Sequence, residues 1–171
     1  MIQRELENLV RMLVWVAFQV FVCNKIHLMG YATPIVYVAF VAYFRFGYPR
    51  VGILVWCFVC GLLVDIFTNT PGVASGSITL VALLQPMLLK AMAPKDAVEN
   101  MSPSLLSLGY MTFMRYLFLL VVVHHLAFFA LDTFSYFDIR HAAISCGGSI
   151  VLSFLILWGV EHLRTRNRKT S

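Results

Sequence analysis

The chain has 171 residues, of which 60% are apolar and only 12% charged, with a mean hydropathy of +0.82. That balance lies outside the range of soluble globular domains and predicts an integral membrane protein with no soluble domain beside it. The formal charge of +5 does not mark a nucleic-acid surface, because the basic residues are scattered among short loops instead of forming a patch with interleaved aromatics.

A helix needs about 20 mostly apolar residues to cross the hydrocarbon layer. Six apolar runs are read along the chain, at about 9–27, 32–46, 51–68, 74–93, 106–131 and 142–163. The connections are short, and no internal repeat or low-complexity stretch interrupts them. The expectation is an all-α membrane protein: one integral membrane domain over 1–171, a compact bundle of about six transmembrane helices with a short basic cytoplasmic tail at about 164–171. The first run follows MIQRELENLVRML, which holds Glu5 and Glu7, and no small-residue cleavage site comes after it. It is therefore read as a retained helix and not a secretory signal. Cys23, Cys57, Cys60 and Cys146 all fall in or at the ends of apolar runs, where cysteine behaves as a small hydrophobe.

Loop charge sets orientation. With both termini in the cytoplasm, ten basic residues lie inside: Arg4, Arg11, Arg45, Arg50, Lys90, Lys95, Arg164, Arg166, Arg168 and Lys169. Lys25 and Arg140 lie outside, so the bias places both ends in the cytoplasm. The tail RTRNRKTS reads as an orientation anchor on an anionic leaflet or as a docking strip for an acidic partner.

The third run ends in GLLVDIFTNTPG and contains a carboxylate, Asp65. At ~1.5 Å per residue it lies ~21 Å above Val51, in the outer third of the layer. A carboxylate at that depth faces the bundle interior or a wet cavity and needs a partner. Cys57, Gly61 and Asp65 recur at four-residue spacing, so small side chains lie beneath the acid and let another helix approach. Pro71 and Gly72 fit the central pair of a type II turn, and VASGS then opens the fourth run with groups able to bond Asp65 or free backbone ends. Two readings of Asp65 stand: a cap bonded by Thr68, Asn69 or Thr70 that fixes the hairpin, or a pairing with another charge or with a group of a partner protein.

In the fifth run, Arg115 either snorkels to the cytoplasmic headgroups or joins a buried pair. His124 and His125 point in different directions, so at most one is expected to face the core, as a packing histidine or as a proton relay. This run is bulky and aromatic and suits lipid contact. Ser145, Ser149 and Ser153 form a small-residue stripe on the sixth run, with Gly147 and Gly148 nearby, expected to pack tightly against another helix.

Catalytic patterns fail on inspection. GVASG at 72–76 is not the G-x-S-x-G elbow, since Ala74 holds the middle position. Cys57 and Cys60 form a lone pair without the further ligands that zinc requires. No phosphate loop and no paired carboxylates are present. No catalytic, cofactor-binding or metal residue is assigned, and the candidates for structure or partner contact are Gly61, Asp65, Pro71, Gly72, Arg115, Ser145 and Ser149.

The central stretch GLLVDIFTNTPGVASGSITLVALL, with a Gly, three residues, an Asp and a polar turn ending in Gly, resembles the MreD family of rod shape-determining membrane proteins. The matching positions are Gly61, Asp65 and Gly72. The resemblance implies a non-enzymatic scaffold in the bacterial inner membrane. Its implied partners are the bitopic MreC, the glycosyltransferase RodA with its transpeptidase, the actin-like MreB filament and membrane lipids. It also implies a fold similar to the substrate-binding subunits of energy-coupling-factor vitamin transporters. From that fold comes an alternative, a small-molecule binding subunit with its ligand near Asp65 and the 69–77 turn. The outer polar groups available to either are Asn24, Lys25, Asn69, Asp132, Tyr136, Asp138 and Arg140.

Overall fold

Five of the apolar runs form helices long and apolar enough to cross a membrane. The computed structural model of the chain describes residues 2–26, 33–93, 102–133 and 139–169. In chain order it contains α1 (Ile2–Phe21) with a 3₁₀ turn at Cys23–Lys25, α2 (Ala39–Ala42), α3 (Arg50–Thr68), α4 (Val73–Met92), α5 (Leu105–Leu108), α6 (Tyr110–Thr133) and α7 (Ile139–Lys169). No strand occurs among the described residues. Lys95, Tyr136 and Asp138 lie outside them.

The run at 32–46 is the exception, for it does not form the expected second spanning helix. It holds only the four residues of α2, between non-helical segments. Pro34 lacks an N–H and biases the residue before it away from helix. The neighbouring N–H groups bond to side chains of other helices instead: Thr33 to Ser149 Oγ at 3.1 Å, Ile35 to Ser153 Oγ at 2.7 Å and Val36 to Gln19 Oε1 at 2.8 Å. Irregular backbone survives at membrane depth only inside protein, and every residue from Ile35 to Phe44 is buried. The segment runs antiparallel to α1. Gln19 Nε2 donates to the Pro34 carbonyl at 3.0 Å near one end, and Tyr48 Oη donates to Glu5 at 2.9 Å near the other.

The fifth run is also divided. Gly109, at φ +80°, separates α5 from α6. Of the long helices, α4 packs against α3 on one side and α6 on the other, and α6 in turn packs against α7. With neighbours on two sides, α6 buries Phe113, Tyr116, Leu117, Leu120 and Val121. It is thus a core helix, contrary to the lipid-facing role expected from its bulk, although Met111, Arg115 and Leu126 remain exposed.

The bundle has two ends, called here the hairpin end, where α3 turns into α4, and the tail end, where α1 begins and α7 finishes. At ~1.5 Å per residue the 31 residues of α7 extend ~46 Å, well beyond a hydrocarbon core of ~30 Å. Its last turns therefore project past the apolar window Ala143–Thr165.

Candidate functional site

The α3–α4 hairpin is built on Asp65. Helix α3 stops at Asn69, which takes the left-handed conformation (φ 56°, ψ 41°). A tight turn follows: Val73 N–H donates to the Thr70 carbonyl at 3.1 Å, and Gly72 has φ 85° and ψ −11°. Those values match the second central position of a type II turn, where glycine adopts positive φ without a steric cost. Pro71 takes the first central position.

The first turn of α4 has backbone N–H groups with no helical partner, and the helix dipole makes that end positive. Asp65 serves them from the preceding helix. Its Oδ1 accepts from Ala74 N–H at 2.8 Å and Thr70 Oγ1 at 3.0 Å; its Oδ2 accepts from Ser75 N–H at 2.9 Å and Gly72 N–H at 3.2 Å. Only 4% of Asp65 is exposed, so both oxygens are engaged within the chain. One turn below, a Cβ on Gly61 would lie 2.4 Å from Ser75 Cα and 2.7 Å from Ile78 Cγ2. Gly61 thus permits the close α3–α4 approach that lets the carboxylate reach the end of α4. The structure brings Gly61, Asp65, Pro71 and Gly72 together as one unit.

Arg115 is not part of it, lying exposed on α6 toward the tail end. Ser145, Ser149 and Ser153 are buried on one face of α7, where Ser149 and Ser153 Oγ accept from the irregular 33–36 backbone and Ser153 also reaches His125 on α6. Gly147 and Gly148 lie on the exposed side, so they do not extend that face.

Both histidines are fully buried, where at most one was expected to be. The sandwiching of α6 explains it. His124 Nε2 lies 3.1 Å from Tyr37 Oη and 3.3 Å from Ser77 Oγ, whereas His125 turns toward α7, with Nε2 3.0 Å from Ser153 Oγ. His125 Nδ1 is 2.8 Å from the Val121 carbonyl, which can only accept, so in the neutral ring Nδ1 carries the proton and Nε2 accepts from Ser153. Ser153 in turn accepts from Ile35 N–H. This relay holds the irregular segment to α6 and α7.

At the hairpin end lies a partly open cavity of about 390 Å³, between α1 and its following turn, residues 33–37, α3 and α6. Its walls are Gln19, Asn24, Thr33, Tyr37 and Thr68, with Ile35, Val64, Phe128 and Phe129. The tail end is ionic instead. Tyr43 Oη donates to Glu161 at 2.6 Å, the Arg164 guanidinium lies 4.4 Å from the centre of the Tyr43 ring, and Arg164 reaches the same carboxylate at 3.9 Å. Glu5 accepts from Tyr48 Oη and from Trp56 Nε1 at 2.9 Å each; burial and that carboxylate raise the Tyr48 phenol above its ordinary pKa.

Comparison with family models, curated proteins and solved structures found no match.

Sequence reading passed over Gln19, Gln85, Tyr116 and Glu161, all of them buried. Gln85 Nε2 donates to Tyr116 Oη at 2.9 Å, and Tyr116 Oη donates to the Ala42 carbonyl at 3.2 Å. The signal that exposed Asp65, a polar residue within an apolar run, was equally present for Gln19 in WVAFQVFV and Glu161 in WGVEHL. Among the described residues no group of three or more His, Cys, Asp or Glu could hold a metal ion.

Proposed function

We propose that this protein is a non-enzymatic scaffold of the bacterial wall-elongation machinery in the inner membrane, with both termini in the cytoplasm. In this reading it binds an MreC-like bitopic protein and couples the MreB filament to the glycosyltransferase and transpeptidase that build the wall, thereby controlling cell shape.

The observation that carries the reading is the physical coupling of the three positions shared with the MreD pattern. Gly61 allows the helices to touch, Asp65 caps the second helix and Gly72 makes the turn between them. In this reading the three positions go together because each depends on the others in space. Because both oxygens of Asp65 are engaged, a partner meets the shape of the hairpin and not its charge.

The test is extraction of the tagged protein from native membranes in mild detergent, followed by mass spectrometry of what accompanies it. Recovery of an MreC-like protein with wall-synthesis enzymes is expected. Recovery of a transporter's coupling subunit and ATPases would overturn the scaffold reading in favour of a substrate-binding subunit.

A further inference from the structure

We propose that the cavity at the hairpin end binds a small uncharged ring compound bearing amide or hydroxyl groups. This inference does not rest on the scaffold reading.

Ligand pockets commonly have volumes of roughly 300–1,000 Å³, with apolar walls and a few placed polar groups, and the cavity's 390 Å³ falls within that range. Five of the nine described lining residues are polar, and among these described residues none is Asp, Glu, Lys, Arg or His. A charged ligand seated here would give up part of its hydration without gaining a counter-ion from these described walls, which is costly. Five polar residues also make a poor seat for an acyl chain.

The walls combine polar groups with aromatic rings. On the α1 side, Asn24 Oδ1 is taken by Gln19 Nε2 at 2.9 Å, which leaves the Asn24 NH₂ as a donor. Thr33 gives its backbone N–H to Ser149, leaving a hydroxyl that can donate or accept. Across the space, Phe128 and Phe129 present aromatic rings. The Phe128 ring is held in place, stacked on His124 with centroids 6.2 Å apart and planes at 29°. The same histidine fixes the hydroxyl of Tyr37, another wall residue. Donors, rings and floor are therefore set before a ligand arrives, which lowers the cost of binding.

Benzamide, benzoate and benzamidinium share one shape and carry charges of about 0, −1 and +1 at pH 7 by ordinary group chemistry. Equilibrium dialysis of each against the full chain in lipid nanodiscs, with empty nanodiscs as the blank, tests the proposal. Benzamide should be retained saturably and at least ~10-fold more tightly than either ion, a difference of ~1.4 kcal/mol. Thr33→Trp, which fills the space without removing a hydrogen bond made by the threonine side chain, should abolish retention while leaving the thermal unfolding midpoint unchanged or higher. Asn24→Asp keeps the acceptor for Gln19 and adds a charge, so it should move the preference to benzamidinium. Absence of saturable retention, or equal retention of all three probes, would overturn the proposal. So would a phospholipid that native mass spectrometry finds bound to the parent protein and absent from Thr33→Trp, since it would give the cavity to an acyl chain.

Discussion

At the α3–α4 turn one carboxylate accepts hydrogen bonds from three backbone N–H groups, those of Gly72, Ala74 and Ser75; along residues 33–36 three N–H groups are divided among Ser149, Ser153 and Gln19 on two helices. Both regions solve the same problem, because a backbone N–H without a partner inside a membrane costs several kcal/mol. The hairpin solves it locally, with a residue seven to ten positions away and charge matched to a helix dipole. The irregular segment draws on residues more than a hundred positions distant in α7. The first arrangement forms with its own hairpin, whereas the second requires the bundle to be assembled. Stability should therefore be concentrated in a single side chain in one region and spread over several in the other.

The largest effect should come from Asp65→Ala. It leaves three N–H groups of a buried helix end without their acceptor, at about 1–3 kcal/mol each, so a loss of ~3 kcal/mol or more is expected in denaturant unfolding of the protein in detergent. A loss under ~1 kcal/mol would break the comparison. Gly61→Val drives a side chain into the backbone of Ser75, 2.4 Å from where its Cβ would sit, and should cost ~3 kcal/mol with the helices forced apart. Distance measurement between spin labels on α3 and α4 would report the separation. In the distributed region, Gln19→Leu strands Val36 N–H and should cost ~2 kcal/mol. Ser153→Ala removes two bonds of the relay, those to Ile35 N–H and to His125 Nε2, and should cost ~1–2 kcal/mol. Arg115→Gln lies in neither region and should change stability by less than ~0.5 kcal/mol, which makes it the control.

The same contrast governs how much was legible in the sequence. Asp65 stood out because a carboxylate within an apolar run needs a partner, and the Pro71-Gly72 pair announced its turn. What the spacing could not give was the identity of the donors, because capping of α4 from α3 depends on how closely Gly61 brings the two helices together. The irregular segment was read as a spanning helix because VYVAFVAYF is apolar enough for one. Apolarity reports burial, and a chain buried in protein need not be helical when other helices supply its hydrogen bonds. Those suppliers looked like packing residues: the serine stripe was visible, but its role depended on contacts across more than a hundred residues of sequence. Both histidines being buried was hidden in the same way, since one helix pattern does not show how many neighbours surround it. The cavity belongs to this class too, as its walls come from four separate parts of the chain.

Amide hydrogen exchange across residues 70–78, in the parent protein and in Asp65→Ala, tests the central claim most directly. The account predicts that Ala74 and Ser75 are strongly protected in the parent, and that the substitution releases them while the middle of α6 stays protected. Equal protection of Ala74 and Ser75 in both proteins would contradict it, because the end of α4 would then be held by something other than the Asp65 carboxylate.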